Sequence, residues 1–542
     1  MTSASKNSKR VLAVVAGSAA FALALTGCQA GGDSSSGGGS ESLIVGTTDK
    51  VTFLDPAGSY DNGSFALMNQ VFPFLLNSPL GTSDVEPDIA ESAEYTSDDE
   101  YTVVLKSGLK FANGNDLTSS DVKFSFDRQV AINDENGPSV LLGNIDSVEA
   151  VDDTTVVFHL INGNDQTFAQ ILSSPAAPIV DEEVFSADAV TPDADIVDGM
   201  AFAGQYVIDS YDFNNIVAFK ANADYQGVLG AAATDSITLK YYTDASNLKL
   251  DVQEGNIDVA HRSLSATDVA DLEGNDNVNV VVGPGGEIRY IVFNFDTQPF
   301  GAATPEADAA KSLAVRGAVA DLINRQEISD QVYKGTYLPL YSYVPDGLTG
   351  ATEVLKDLYG DGEGGPSTEA AKQRLADAGV EIPVSLNLQY NPDHYGESSG
   401  DEYALVESQL EAEGIFDVNL QSTEWVTYAK ERTADAYPAY QLGWFPDYSD
   451  ADNYLTPFFG DGNFLSNHYA DAEVNDLIVA QATELDPDVR EGMIEEIQAK
   501  VAAQLSTVPF LQGAQIAVTG KDVTGATLDG SFKFRYGSLV KN

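Results

Sequence analysis

The sequence predicts a mixed α/β fold on three observations. The first half carries short runs of β-branched and alternating residues, and from about residue 290 strand-like and helix-like stretches alternate. Hydrophobic residues make up 43% of the 542, with 25 Phe and 24 Tyr, enough to fill several cores.

Taken in order, Leu43 to Thr47 (LIVGT) opens the body as a strand, and Tyr101 to Lys106, Thr155 to Leu160 and Ile237 to Tyr242 are further β-rich runs. A helix from about Ala310 to Arg325 presents Leu313, Val315, Ala318, Val319, Leu322 and Ile323 to a core. Ser367 after Pro366 caps a second helix, which Gly379 stops as a left-handed residue. Val384 to Tyr390 alternates strictly and reads as a half-buried strand. A helix near Glu402 to Glu413, a strand at Phe416 to Gln421, a helix from Trp425 and a strand at Tyr440 to Trp444 complete the run. Such alternation implies a parallel or mixed sheet.

Charge and composition exclude whole classes of function. The balance of 28 basic to 83 acidic residues, a net −55, repels nucleic acid and anionic lipid alike. A single cysteine, Cys28, excludes an internal disulfide and a thiolate cage, and the four histidines at 159, 261, 394 and 468 lack ligand-like spacing. No metal or cofactor is expected. Gly360 to Gly365 formally fits a dinucleotide loop, but it follows a helical stretch and holds two carboxylates, so it reads as a solvated loop. Asp447, Asp450 and Asp452 lack the glycine and glutamate of a calcium loop. With no nucleophile elbow, zinc-protease helix or Cys/His pair in the chain, no enzyme is expected.

Lys6, Lys9 and Arg10 precede an apolar run from Val11 to Leu25 that is too short and too rich in Ala and Gly for a comfortable membrane span. The run ends in Leu25-Thr26-Gly27-Cys28, which looks like a bacterial lipobox. Residues 1–27 are therefore expected to be a signal peptide, Cys28 the lipidated residue, and 28–42 a flexible tether with a reach of about 20 Å. The body should be held by this anchor alone at the extracytoplasmic face of the cell membrane.

Leu54 to Ala57 (LDPA), Tyr101 to Gly114 (YTVVLKSGLKFANG) and Leu117 to Ser125 (LTSSDVKFS) resemble the signature region of the family 5 extracellular solute-binding proteins, the dipeptide, oligopeptide and nickel receptors of ABC importers. Further matches follow in order: Asn222 to Gly227, Gln253 to Ala260, Val292-Phe293-Asn294 with Pro299-Phe300, Val315 to Arg325, Glu424-Trp425 with Tyr428, and Gly443 to Tyr448 (GWFPDY). The resemblance implies a two-lobed periplasmic-binding-protein-like fold of the large, cluster C type. Lobe I would comprise 43–73, 203–287 and 510–542, with an extra subdomain at 74–202, and lobe II would run over 288–509. It also implies a monomer that traps a solute by hinged closure and hands it to permease subunits.

Gly443, Trp444, Phe445 and Asp447 sit at the end of a strand, where a sheet edge offers main-chain groups to an extended peptide. In similar peptide receptors the aspartate three residues after the tryptophan holds the ligand's α-ammonium, and Asp447 matches it. Trp444 is either an apolar wall or core packing. Tyr60, Asp61 and Asn62 match the lobe I stretch that pairs its backbone with the ligand. Arg432 and His394 match positions that meet the ligand carboxylate or its waters, or else are surface residues. Gln441 stands where some receptors carry a second arginine, which is compatible with longer, modified or non-peptide ligands. The leading expectation is oligopeptide capture. The same module binding an oligosaccharide, an opine or another non-peptide solute is the alternative, nickel is disfavoured by the lone histidines, and a surface hydrolase is less favoured still.

Overall fold

The computed structural model describes residues 42–262, 264–392, 394–396 and 398–542. The expected signal peptide, Cys28 and the tether up to residue 41 lie outside the described residues.

An eleven-stranded sheet organises the body. Its order, by residue range, is Phe416–Ser422, Val384–Tyr390, Ala439–Trp444, Val278–Phe293, Thr507–Gly520, Val259–His261, Leu43–Thr47, Ser236–Tyr241, Ile216–Ala221 and Tyr206–Asp212, with Tyr337–Pro339 added alongside Thr507–Gly520. Leu43–Thr47 lies between two parallel neighbours, Ser236–Tyr241 and Val259–His261. Its continuous apolar run suits a strand covered on both faces. Val384–Tyr390 buries Val384, Leu386 and Leu388 and exposes Ser385 and Asn387, as its alternation predicts, but Gln389 on the outer face is buried, donating to Thr423 at 2.7 Å.

Two long antiparallel strands, Val278–Phe293 and Thr507–Gly520, cross the middle of this sheet and, among the described strands, join one half to the other. Their register runs from Val278 opposite Gly520 to Val292 opposite Thr507. It breaks where Pro284 faces Ala514 and Ile288 faces Gln512, so that Gly285, Gly286 and Glu287 bulge opposite Gly513. A Cβ on Gly285 would stand 2.1 Å from the Gly513 carbonyl oxygen, so the close approach of the two backbones requires glycine. The ladder is thus weakest at the point where the two halves of the sheet join.

On one side of the bulge, a core built from residues 288–511 packs helices such as Ala309–Leu322 on the sheet. On the other, Leu43, Val45, Phe72, Phe219 and Tyr536 share a second core. Helix Ala309–Leu322 buries Val315, Ala318, Val319 and Leu322, and Ile323 is buried just beyond it, but Leu313 is 37% exposed. Leu313 lies on the outer side of the first turn, and Ala314 takes the inward place. Ser367 accepts a hydrogen bond from the Ala370 amide at 3.1 Å, and Gly379 has φ +68°, so the second predicted helix begins and ends for the reasons its sequence suggests.

A separate antiparallel sheet orders Ala90–Ser97, Glu100–Leu105, Thr155–Leu160 and Ile145–Asp152. Tyr101, Val103, Leu105, Val156, Phe158 and Leu160 fill its core together with helix Ser119–Ile132. One buried ion pair ties that helix to the main body: Arg128 donates to both carboxylate oxygens of Asp55, each at 2.9 Å. Asp55 also caps the Ala57 amide at 2.9 Å and the Thr191 amide at 2.6 Å. No described helix is long and apolar enough to cross a membrane.

Candidate functional site

Strand Ala439–Trp444 pairs with Val278–Phe293 at its far end, Trp444 opposite Ile288 and Gly443 opposite Arg289, and so delivers the following loop beside the bulge. Gly443 is fixed by crowding. A Cβ there would lie 2.8 Å from the Ile288 carbonyl oxygen and 2.9 Å from the Tyr395 ring. The Gly443 carbonyl accepts from the Tyr395 hydroxyl at 3.1 Å. Trp444 is half-buried, meeting Phe458 edge-on at a ring distance of 5.0 Å, and it also lines a cavity.

Asn453, buried in the first turn of helix Asp452–Phe459, holds the loop in shape. Its carbonyl oxygen accepts from the Trp444 indole at 2.8 Å and from the Asp447 amide at 3.0 Å, while its amide nitrogen donates to Asp447 Oδ2 at 3.2 Å. Sequence reasoning missed Asn453; its place six residues after Asp447 carries no recognisable signal. Asp450, next in the loop, is gripped by both terminal nitrogens of Arg490 at 2.8 and 2.7 Å.

From the other half of the sheet, the segment after Leu43–Thr47 brings Tyr60, Asp61 and Asn62 to the same place. Asp61 is the N-cap of helix Asn62–Val71, accepting from the Ser64 amide and hydroxyl, both at 2.8 Å. Its carboxylate is thereby occupied in positioning its neighbours. The Tyr60 hydroxyl donates to Asp447 Oδ1 across 387 residues of sequence. Burial pushes the Asp447 carboxyl up from its ordinary range, while the hydrogen bonds from Tyr60 and Asn453 pull it down. Burial, and then the Asp447 charge, raise the Tyr60 phenol as well. A half-buried carboxylate that meets neutral donors alone among the described residues is suited to receive a cation.

Two cavities meet at Asp447. One, of about 390 Å³, is lined by Tyr60, Asp61, Asn62, His394, Trp425, Gly443, Trp444 and Phe445 among others. Its aromatic wall is continuous: the His394 imidazole stacks on Trp425 at 3.7 Å with the rings 4° apart. The other, of about 300 Å³, reaches from Asp447 towards Glu287, Tyr337, Ser173 and Lys533. Phe445, Pro446, Asn62 and Phe65 line both. The structure therefore gathers eight of the nine expected ligand-site residues. Arg432 is 4% exposed and lies outside the described lining of both cavities. It sits over the Phe464 ring at 4.4 Å and donates to the Phe464 and Leu465 carbonyls at 3.2 and 3.4 Å, so it supports the loop behind the wall. Gln441 is likewise turned inward, accepting from the Asn391 amide at 3.0 Å and donating to Ser399 at 3.2 Å.

Beneath the junction, Arg289 on the crossing strand is buried and knits the site to the bulge. It donates to Glu287 at 3.1 Å, Tyr333 at 3.1 Å, Tyr337 at 3.0 Å and Glu402 at 3.4 Å, and also to the Tyr395 carbonyl. Burial raises the Glu402 carboxyl, and Arg289 opposes the shift. Nothing in the sequence marks this cluster, because Arg289 and Glu402 alone lie 113 residues apart.

Residues 84–466 match the family model of bacterial extracellular solute-binding proteins, family 5. Heme-binding protein A of Haemophilus influenzae is 25% identical over 494 residues, 85% of each chain. The dipeptide-binding protein of Escherichia coli K12 is 25% identical over 425 residues, 74% of each. The solved structure of HbpA2 from Haemophilus parasuis superposes with a TM-score of 0.79 at 21% identity, covering 93% of this chain and all of that one. These relatives are binding proteins rather than enzymes, and their two-lobed architecture is the one built here around the crossing strands. With most of its length matched by the family model, the chain belongs to the bacterial extracellular solute-binding proteins, family 5.

Proposed function

We propose that this protein captures peptides by their free amino terminus, outside the cell membrane, and presents them to an ABC importer. The observation that carries this reading is the Asp447 carboxylate, half-buried, held by neutral donors and set where both cavities meet. A peptide α-ammonium at this point replaces the lost hydration with a charge-assisted bond. The main chain of the ligand then runs along the His394 and Trp425 wall, with Gly443, Trp444 and Phe445 on one side and Tyr60, Asp61 and Asn62 on the other.

Closure follows from the same geometry. Lobe I, taken as 43–73, 203–287 and 510–542 with its subdomain at 74–202, carries Tyr60, and lobe II, 288–509, carries Asp447. The crossing strands bend at Gly285 and Gly513, where the ladder is already interrupted. The relative named a dipeptide-binding protein favours peptides as the solute. Lipid attachment at Cys28 keeps the trap at the membrane, and the net −55 charge holds its body off an anionic surface.

Isothermal titration of the wild type and Asp447→Asn, each with a free-amine peptide and its N-acetylated copy, tests this function. The wild type should prefer the free amine by about thirtyfold or more, the equivalent of about 2 kcal/mol, and the variant should lose most of that preference. Equal wild-type affinity for the two peptides would remove the ammonium role from Asp447 and bring neutral solutes such as sugars forward.

A further inference from the structure

Lys533 is anomalous in this acidic protein. Its ammonium lies at the wall of the 300 Å³ cavity, donating to the Ser173 carbonyl at 2.8 Å and to Asn77 Oδ1 at 3.4 Å, over the Phe74 ring at 5.8 Å. Both acceptors are neutral, and no carboxylate among the described residues forms an ion pair with it. Its neighbour Arg535, also buried, donates to the same Asn77 oxygen. Two cations therefore share one neutral oxygen. Asp88 and Asp529 act on Lys533 only from further off, and Asp88 is taken up by Tyr225 at 2.6 Å and the Val228 amide at 2.8 Å. Burial, and then Arg535, drive the Lys533 ammonium well below its ordinary range, the response of a cation that lacks an anion.

The remaining charges of the cavity do not supply one. Glu287 is engaged by Arg289, which it shares with Glu402, and accepts from Tyr337. Arg262 is paired with Asp49 at 3.1 Å. Asp447 stands at the other end, at the junction. A ligand residue whose ammonium sits on Asp447 faces both this cavity and the one walled by His394.

We propose that this cavity takes the side chain of the ligand's first residue and that Lys533 makes it selective for a carboxylate there. The assignment rests on the amino-terminal anchoring proposed above. The acidic group meets Lys533 Nζ, and the 300 Å³ volume, at the low end of small-ligand pockets, suits one side chain. A neutral amide of the same shape leaves the ammonium without its counter-charge.

The test is isothermal titration with peptides that differ only in the first residue, Glu, Gln or Ala followed by alanines, in three- and five-residue versions with free amino termini. The wild type should bind the Glu peptides at least about tenfold more tightly than the Gln peptides. Lys533→Met should bring Glu down to the level of Gln while changing Gln by less than about threefold, and Lys533→Arg should keep the preference. Equal wild-type affinity for Glu and Gln peptides would overturn this subsite and leave the capture of amino termini intact. If none of the peptides binds, both readings fall. The comparison within the wild type does not depend on any variant folding.

Discussion

Replacing Arg128 by methionine should open the joint between helix Ser119–Ile132, packed on the four-stranded sheet, and the loop that carries Tyr60. The guanidinium makes two 2.9 Å bonds to Asp55 and further bonds to the Ser186 carbonyl at 2.8 Å and the Ala189 carbonyl at 3.1 Å. Both side chains of the pair are almost wholly buried, at 2% and 0% exposure. Methionine keeps the aliphatic volume but leaves the carboxylate facing only the Ala57 and Thr191 amides. An uncompensated buried charge of this kind costs about 3–5 kcal/mol. That loss corresponds to a rise of roughly two to three and a half orders of magnitude in the opening equilibrium of the amides concerned. Native-state hydrogen exchange at the Ala57 and Thr191 amides reads it directly. A global melting curve does not, because a protein with several cores need not unfold in one step. A second replacement, Asp55→Asn on the Arg128→Met background, removes the stranded charge and should recover part of the loss, since one carbonyl oxygen remains for two amides. Wild-type protection at both amides in Arg128→Met, within a factor of a few, would refute the view that this pair holds helix Ser119–Ile132 to the body.

Burial first, and the neighbouring Asp450 charge second, push the Asp452 carboxyl up to about 6. Its contribution to stability is therefore full below the ordinary carboxyl value of 3.8 and lost as the pH rises through 6, so Asp452→Asn should gain on the wild type between pH 4 and pH 7 by roughly 2 kcal/mol; parallel denaturation curves across that range would contradict it. If Cys28 is lipidated as proposed, Cys28→Ala should release the protein from membranes or leave it unprocessed, because that anchor would supply the membrane affinity of an acidic body. Retention of that variant in the membrane fraction after salt and carbonate washes would contradict the lipoprotein reading.

The elements that sequence exposes are those whose signal is local. Val384–Tyr390 is visible because its period of two is uninterrupted, and Thr368–Asp377 because Ser367 and Gly379 mark its ends. The strand Val278–Phe293 is hidden, although with Thr507–Gly520 it joins the two halves. Gly283, Pro284, Gly285 and Gly286 break its pattern at the middle, where only pairing with Thr507–Gly520 explains them. Leu313 was misplaced because a helix buried on nearly every side has no clear apolar stripe to read. At the site, Asp447, Trp444 and Tyr60 are legible through a family resemblance, whereas Asn453, Arg289 and Lys533 act through contacts that only the fold creates. Arg432 shows the limit of that resemblance: its place in the chain matches a ligand contact, yet its guanidinium is committed to the carbonyls of Phe464 and Leu465.

Capture of amino-terminal ammonium groups is tested most directly by native mass spectrometry of the protein as purified from cells, followed by release and fragmentation of whatever it carries. The expected result is a set of peptides with free amino termini, lost from the Asp447→Asn variant while its fold is kept. A bound saccharide, or peptides whose amino termini are blocked, retained equally by that variant, would contradict it.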